Sequence, residues 1–232
     1  MAASENNSFL KIELLDGLSD SQRQNVAQLC SWRHYSNNEQ IIDRQSDASD
    51  IFFIVEGRVR VVNYSLSGRE VTFDDLKAGQ HFGELSAIDS EPRSASVMAL
   101  TNCNIASMPQ ERFLNLLEKE PQIALRLMQG LTSMVRASTL RIMDLSTLAA
   151  NNRVQADLLR LAKKQMDGEN RAVISPIPVH ADIASRVSTT RETVARVLND
   201  LARKGLVIRE KSALIINDLE NLQEMVEEVR GD

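Results

Sequence analysis

Residues that could bind a phosphate ester and a sugar hydroxyl stand close together near the middle of the chain. They are Gly83, Glu84 and Leu85, followed nine positions after Glu84 by Arg93, Ser94 and Ala95. An arginine with neighbouring hydroxyl and backbone N–H groups can hold the charge of a phosphodiester by hydrogen bonds. Glu84 can accept a hydrogen bond from a ribose 2′-hydroxyl, and Gly83 lets the backbone come close to a ligand. The combination fits a cyclic nucleotide monophosphate, whereas Arg93 alone would be read as a surface charge paired with Glu91.

A second group of polar side chains lies about a hundred residues further along the chain. Apolar residues at helical spacing on both sides of Ser188-Thr189-Thr190 predict a helix, a turn and a second helix. Thr190 can cap the second helix, and Gly205 can end it. Side chains in its first two turns can read bases, because Arg bonds to guanine and Glu accepts from the amino group of cytosine. Those side chains are Arg191, Glu192 and Arg196.

The two motifs, in this order and at this distance, resemble those of the cyclic-AMP receptor protein branch of the CRP/FNR family of bacterial transcription regulators. The first is similar to the phosphate-binding cassette of cyclic-nucleotide-binding domains, and the likeness runs from about Phe9 to about Ile216. The resemblance implies a ligand-gated homodimer that binds palindromic double-stranded DNA with half-sites similar to TGTGA. It implies cyclic AMP as the allosteric ligand, with cyclic GMP as an alternative, and RNA polymerase as a further partner.

The expected fold class is α+β, with an N-terminal antiparallel β-roll or jelly roll, a long dimerisation helix and a C-terminal winged helix-turn-helix. Short apolar or alternating segments between residues 39 and 108 predict the β-roll, with one turn at Ser67-Gly68. Predicted strands cover 40–42, 51–55, 58–62, 71–76, 95–100 and 105–108, and residues 206–208 and 213–216 predict the wing. Helices are expected within residues 10–32 and 109–120, and a short acidic one at 219–229. The expected domains are 1–120 for the cyclic-nucleotide-binding β-roll, 121–150 for the dimerisation helix and hinge, and 151–232 for DNA binding.

One long helix is predicted from Pro121 to about Ala150, because apolar residues recur at alternating steps of four and three. The positions are Ala124, Met128, Leu131, Val135, Ser138, Ile142 and Leu145. No other predicted helix has a similar length, so a parallel dimer seam is favoured over a monomeric bundle. The family resemblance places the base of the nucleotide at Ser138 and Thr139, with one hydroxyl from each subunit. A polar seam residue could instead set the register, and a hydroxyl does not choose between adenine and guanine.

Several features bear on the DNA contacts. Between Arg186 and Lys211 the chain has seven basic and three acidic residues, although its net charge is −5. Additional DNA-binding residues are predicted at Thr190, His180, Arg209 and Lys211. Ser188 stands where the family usually has Gly, Val179 stands where Ser or Thr would cap the first helix, and Thr189 with Glu192 could form a competing capping box. Asn151 and Asn152 are expected to cap the helix at 153–165 after the hinge.

Composition and motifs disfavour several other classes. The chain has no apolar run of about 18 residues, and residues 1–8 do not read as a secretion signal, so no membrane contact and a cytoplasmic location are expected. Cys30 and Cys103 match no redox or metal spacing and are interpreted as structural thiols. His34, His81 and His180 are scattered, so a metal-dependent β-roll enzyme is a distant alternative; no metal and no catalytic residue is expected. A regulator of the same fold with a non-nucleotide effector is the nearer alternative, and haem ligation by His81 has no support.

Overall fold

The structure, a computed structural model, describes residues 9–66, 68 and 70–231. It consists of two compact units that divide between residues 134 and 135. The segment 1–8, interpreted above as lacking a secretion signal, and Ser67 of the predicted turn lie outside the described residues.

Two four-stranded antiparallel sheets form a β-roll in the first unit. The first sheet has the order β1-β8-β3-β6 and the second has the order β2-β7-β4-β5. The strands are β1 (Ser31–Tyr35), β2 (Gln40–Ile42), β3 (Ile51–Glu56), β4 (Arg58–Tyr64), β5 (Glu70–Lys77), β6 (His81–Phe82), β7 (Ser96–Ala99) and β8 (Cys103–Met108). The predicted fold class and all six strands predicted in this region are therefore confirmed, with shifted ends in every strand but β2.

Two strands of the β-roll were not predicted, and the physical reasons differ. β1 begins in the last two residues of the segment expected to be helical and continues beyond it. Only Tyr35 of its five residues is buried, so the strand lacks an alternating apolar pattern. β6 has only two residues, His81 and Phe82, and pairs with the centre of β3 at Phe53 and Phe52. A strand this short is specified by its neighbours in the sheet and not by its own sequence.

The first unit also contains helices. They are α1 (Asp20–Gln28), α2 (Glu84–Asp89), α3 (Gln110–Lys119) and the start of α4 (Pro121–Thr147), preceded by two 3-10 turns at Phe9–Lys11 and Glu13–Leu15. Ile123 and Leu127 of α4 are buried with Phe113 of α3 in an apolar core that also contains Phe9 and Phe53. The buried stripe of α4 ends there, so burial in this unit accounts for only its first turns.

The predicted long helix is confirmed as α4, and the C-terminal part of its apolar seam is exposed. Val135 is 65% exposed and Ile142 is 63% exposed. Leu145, near the end of the helix, is also exposed. Large apolar side chains at this spacing on an exposed helix face are typical of a surface that a partner covers.

The second unit contains a winged helix-turn-helix. Its further elements are α5 (Ala150–Lys163), β9 (Ala172–Ile174), α6 (His180–Arg186), α7 (Arg191–Arg203), β10 (Val207–Arg209), β11 (Leu214–Ile216) and α8 (Leu219–Arg230). The predicted two-stranded wing is present, and β9 adds a third strand in the order β10-β11-β9. The acidic C-terminal helix contributes Leu222 and Val226 to a core shared with Leu158 of α5.

The expected cap of α5 was wrong. The helix begins at Ala150 with Ala149 at the cap position, and no side chain caps it. Asn151 and Asn152 therefore lie in the first turn of α5, because the helix starts three residues before the predicted start at residue 153.

Candidate nucleotide site and DNA interface

The cassette of the first unit is built around Gly83, which lies between β6 and α2. Gly83 has φ +83°, and a Cβ atom there would lie 2.8 Å from Nη1 of Arg93 and 2.9 Å from the carbonyl oxygen of Asp50. A residue with a side chain would be strained by this φ and would also collide with two neighbours. The position therefore requires glycine for both reasons.

Arg93 is folded into the cassette by backbone carbonyls. Its Nη1 donates to the carbonyl of Gly83 at 3.1 Å, and its Nη2 donates to the carbonyl of Asp50 at 2.8 Å. The guanidinium lies 5.5 Å from the ring centre of Phe52, which stacks on Phe82 at 5.0 Å. The residue is only 4% exposed, and its buried Nε has no hydrogen-bond partner within the part of the chain that the structure describes. A buried charged donor without an acceptor is costly, so the cassette is suited to an anion.

Glu84 lies beside this cation and is itself buried, with 7% exposure. Burial raises the pKa of Glu84, although a hydrogen bond from its own backbone and the charge of Arg93 act in the opposite direction. Burial likewise lowers the pKa of Arg93, opposed by the charges of Asp50 and Glu84. The structure therefore brings together an acceptor and a cation in a partly desolvated place, as recognition of a hydroxyl next to a phosphate requires.

The other predicted cassette residues occupy different environments. Ala95 is buried, whereas Leu85 and the Ser94 side chain are exposed. The carbonyl of Ser94 accepts a hydrogen bond from Nδ2 of Asn63 at 3.0 Å. The Oδ1 of Asn63 is buried and has no partner among the described residues. Asn63, in β4, was not predicted as part of the site.

Sequence reasoning also missed Asp50 and Phe52, which hold Arg93 from the start of β3. Neither residue has a chemical signature, because one acts through its carbonyl and the other through its ring. Asp50 is 43 residues before Arg93, and only the tertiary fold brings them together. No local sequence pattern signals these contacts.

Ser138 and Thr139 lie on α4, within the second unit, and both are exposed. The Thr139 hydroxyl donates to the carbonyl of Val135 at 3.0 Å. Its oxygen still has lone pairs that can accept from a ligand. The role of these two hydroxyls in binding a base stays a prediction.

The helix-turn-helix is formed by α6 and α7. Thr190 caps α7 and accepts a hydrogen bond from the backbone N–H of Thr193 at 3.3 Å. The cap residue of α7 is therefore Thr190 and not Thr189, the residue of the competing capping box. Hydrogen bonds from its own backbone and from the Thr190 side chain lower the pKa of Glu192, which is fully exposed. Glu192 is thus a carboxylate at the start of α7 that can accept from a base.

The remaining predicted DNA contacts are placed on the surface of the second unit. Arg191 and Arg196 are exposed on α7, and Nη2 of Arg196 donates to Oδ1 of Asn151 at 3.3 Å. Arg209 at the end of β10 and Lys211 in the following turn are exposed, whereas His180, the first residue of α6, is half-buried. The structure therefore leaves the two predicted arginines of α7 and the two basic wing residues accessible.

The basic count between residues 186 and 211 needs one correction. Arg186 is buried at 6% exposure, and so is Asp157, to which Arg186 donates from Nε and Nη2 at 3.0 and 2.9 Å. Burial would raise the pKa of Asp157, but the charges of Arg186 and then Arg160, with hydrogen bonds from both, hold it below the usual aspartate range. Arg186 therefore belongs to the core of this unit and not to the basic face.

The remaining titratable side chains bear on whether the chain could hold a metal or a reactive thiol. Within residues 9–66, 68 and 70–231, no three His, Cys, Asp or Glu side chains are placed to hold a metal ion. Burial lowers the pKa of His81 to about 4, and burial raises the pKa of the Cys30 thiol to about 12. Cys30 and Cys103 are free thiols. None of the described helices is long and apolar enough to cross a membrane.

Comparison with known proteins agrees with both halves of this description. Residues 32–120 match the cyclic nucleotide-binding domain family, and residues 152–225 match the Crp-like helix-turn-helix domain family. The cyclic AMP receptor protein of Thermus thermophilus is 31% identical over 175 residues, which cover 75% of this chain and 78% of that protein. The CRP-like cAMP-activated global transcriptional regulator of Mycobacterium tuberculosis is 28% identical over 173 residues, covering 74% and 77%.

A solved structure shows the same fold. A CooA mutant from Carboxydothermus hydrogenoformans superposes with a TM-score of 0.80 at 23% identity, covering 93% of this chain and 94% of the other. The comparisons confirm the sequence prediction of a regulator that is not an enzyme. The chain belongs to the CRP/FNR family of cyclic-nucleotide-binding transcription regulators.

Proposed function

We propose that this chain is a homodimeric regulator that binds cyclic AMP at the Arg93 cassette and, in that state, binds palindromic DNA with TGTGA-like half-sites. In this proposal residues 1–120 bind the nucleotide, residues 121–150 form the dimer and hinge, and residues 151–232 bind DNA. A cytoplasmic location and a contact with RNA polymerase belong to the same proposal. The observation that carries it is the buried guanidinium of Arg93, with an unpartnered Nε, next to buried Glu84.

The cassette chemistry supports a cyclic nucleotide. A phosphodiester offers acceptor oxygens with one negative charge, which a buried cation can satisfy. Glu84 would accept from the ribose 2′-hydroxyl, and the exposed Ser94 hydroxyl could donate to the phosphate. Gly83, Leu85 and Ala95 would supply close backbone contacts and apolar surface. Cyclic AMP is favoured because the two named relatives carry it in their names, and cyclic GMP is the second candidate because Ser138 and Thr139 can both donate and accept.

The second unit supports sequence-specific DNA binding. A helix-turn-helix places the first turns of its second helix in the major groove, where Arg191, Glu192 and Arg196 would meet base edges. Thr190, His180, Arg209 and Lys211 would position the protein on phosphates, which gives affinity without sequence preference. The exposed face of α7 is consistent with this division of roles.

The exposed apolar seam on α4 supports the homodimer. Val135, Ile142 and Leu145 are large apolar residues that water would otherwise contact. A second copy of α4 in parallel would bury them by side-chain packing of the coiled-coil type. A twofold dimer would also explain why the expected DNA site is a palindrome.

The test is isothermal titration calorimetry with cyclic AMP and cyclic GMP. Arg93→Ala should weaken binding by about 2–5 kcal/mol, because the ligand's charge would lose its buried partner. Glu84→Gln should weaken binding less, since an amide oxygen still accepts from the ribose. Arg33→Ala is a matched control, because it removes an exposed arginine from the same unit. Unchanged affinity of Arg93→Ala, or no binding of either nucleotide to the wild type, would overturn the assignment.

A further inference from the structure

We infer that Arg141 and Arg153 are positioning residues that hold the turn of the helix-turn-helix, so that DNA reading depends on two side chains that lie outside the two helices of this motif. The inference rests on the proposed DNA-binding function of the second unit. Both arginines lie within this unit, Arg141 in α4 and Arg153 in α5.

Three consecutive backbone carbonyls at the end of α6 are taken by these two guanidinium groups. Nη2 of Arg141 donates to the carbonyl of Arg186 at 2.7 Å. Nε of Arg153 donates to the carbonyl of Val187 at 2.9 Å, and its Nη2 donates to the carbonyl of Ser188 at 3.1 Å. The last carbonyls of a helix have no partner within the helix, and a cation there also faces the negative end of the helix dipole. The two arginines therefore supply bonds that α6 itself cannot make.

Arg153 also ties this turn to the hinge. Its Nη1 donates to the carbonyl of Leu148, between α4 and α5, at 2.9 Å. All three nitrogen atoms of one guanidinium are thus used on three backbone carbonyls, two in the turn and one in the hinge. The planar fork of an arginine can do this with fixed geometry, whereas a lysine, whose ammonium is a single flexible donor centre, cannot.

The turn that is held in this way is strained. Ser188 has φ +51°, in the left-handed region that favours glycine. A residue persists in such a conformation only when its surroundings fix it. Bonds to the carbonyls of Val187 and Ser188 act directly on the peptide groups that define this conformation. Arg153 therefore accounts for the tolerance of a serine at this position.

The position of the turn decides where α7 begins. Thr190, the cap of α7, follows Ser188 by two residues, and Arg191 is the first residue of the helix. A shift of the turn would move the side chains proposed to read bases relative to the rest of the unit. Arg141 adds a link to the long helix, three residues after Ser138, so a change in α4 would reach the turn through one side chain.

The test compares binding of a palindromic TGTGA duplex and a scrambled duplex by fluorescence anisotropy at fixed salt with cyclic AMP. Arg153→Met should weaken binding of the palindrome by about tenfold to a hundredfold, from the loss of charged hydrogen bonds, and change binding of the scrambled duplex little. The affinity of Arg153→Lys for the palindrome should fall between that of the wild type and that of Arg153→Met. Arg171→Met is the matched control, because this exposed arginine pairs with Asp167 away from the turn.

Rescue distinguishes positioning from general stability. Adding Ser188→Gly to Arg153→Met should restore most of the lost preference for the palindrome, because glycine adopts a positive φ without support. Arg141→Met should reduce the gain in DNA affinity on adding cyclic AMP while calorimetry shows nucleotide binding retained. Equal losses on both duplexes, or no rescue by Ser188→Gly, would overturn the inference. A wild type without preference for the palindrome would instead refute the proposed function.

Discussion

Gly83 and Arg93 are bound to each other across the cassette: the guanidinium of Arg93 donates to the carbonyl of Gly83 at 3.1 Å, and Gly83 leaves no room for a Cβ atom between them. The glycine thus has two functions. It takes the positive φ that starts α2 after β6, and it lets the arginine approach the backbone. The two residues form one structural unit, although nine residues separate them in sequence.

Gly83→Ala should therefore affect both stability and ligand binding. The methyl group would meet Arg93 and the carbonyl of Asp50 and would hold an unfavourable φ, so we expect a destabilisation of about 2–5 kcal/mol. Urea unfolding gives the stability, and calorimetry with cyclic AMP gives the affinity, which should fall. Gly205→Ala is the control, because its φ is +75° but nothing lies within 4 Å of the added carbon. It should cost only about 1–2 kcal/mol. Equal effects of both substitutions would contradict the steric account of Gly83.

The first helix of the DNA-binding motif lacks a cap. Val179 occupies the cap position of α6, makes no capping hydrogen bond and is exposed. Val179→Ser should stabilise the protein by about 0.5–2 kcal/mol, because the hydroxyl can accept from a backbone N–H in the first turn of α6. The converse change, Thr190→Ala, removes an existing cap and should destabilise by a similar amount. Thermal unfolding of the two variants shows whether each change raises or lowers stability. A loss of stability in Val179→Ser would argue against the missing cap.

The buried Asp157–Arg186 pair should make stability depend on pH. The pKa of Asp157 is lower in the folded protein, so the unfolded chain binds more protons and stability increases with pH. The stability that Asp157 contributes is fully present above the ordinary aspartate pKa range. It is lost as the pH falls through the pKa of Asp157 in the folded protein. Urea unfolding between pH 3 and 7, a window of about four pH units chosen around that range, measures it.

Asp157→Asn should reduce this pH dependence by the contribution of Asp157 and destabilise the protein by about 3–5 kcal/mol, because Arg186 would remain as an uncompensated buried charge. Asp200→Asn is the control. Asp200 pairs with Arg203 on the surface, and an exposed pair contributes at most about 1 kcal/mol. A small loss in Asp157→Asn, equal to that of the control, would show that the buried pair has no special weight.

The hydroxyls of α4 are predicted to act on gating. If the base contacts Ser138 and Thr139, the nucleotide binds one arrangement of two α4 helices better than another, and only this difference can shift the equilibrium. Ser138→Ala and Thr139→Ala should reduce the effect of nucleotide on DNA affinity, or the selectivity between cyclic AMP and cyclic GMP, more than nucleotide affinity itself. Calorimetry and DNA titrations on the same samples compare the two. Equal losses in nucleotide affinity and in the effect of nucleotide on DNA affinity, the same for cyclic AMP and cyclic GMP, would show that these hydroxyls are merely structural.

DNA contacts should divide into base reading and backbone attraction. Arg191→Ala or Arg196→Ala should cost about 1–3 kcal/mol and relax the preference at one base pair, and Glu192 should behave in the same way at a cytosine. Arg209→Ala or Lys211→Ala in the wing should weaken binding on every sequence and reduce its dependence on salt. A panel of single-base variants of the duplex checks this. Loss of selectivity from the wing substitutions alone would reverse the assignment.

Local patterns in the sequence predicted the cassette, the helix-turn-helix and most strands of the β-roll. Gly, Glu and Arg at fixed spacing have few alternative uses, and strands such as β3 are apolar along nearly their whole length. β1 was missed because its residues are mostly polar and exposed, so its sequence has no alternation of apolar and polar residues. Patterns of this kind indicate which residues face a core. They do not predict a helix or strand whose residues mostly face solvent.

The partners of charged residues could not be predicted in the same way. Arg186 was counted with the DNA-facing residues, because an arginine is rarely buried without a partner. That partner, Asp157, lies 29 residues earlier on α5. The carbonyl of Asp50, just before β3, and the amide of Asn63 in β4 likewise reach the cassette from distant parts of the sequence. Such contacts depend on how helices and strands pack, which local spacing does not encode.

In the proposed function, a cyclic nucleotide bound at the Arg93 cassette controls sequence-specific DNA binding. The most direct measurement is an anisotropy titration of a palindromic duplex, with half-sites about 34 Å apart, at fixed salt with and without cyclic AMP or cyclic GMP. Nucleotide should strengthen binding of the palindrome, to about a thousandfold or more above a scrambled duplex, and Arg93→Ala should abolish this gain. Equal binding of both duplexes, or binding that is the same with and without nucleotide, would contradict the proposed function.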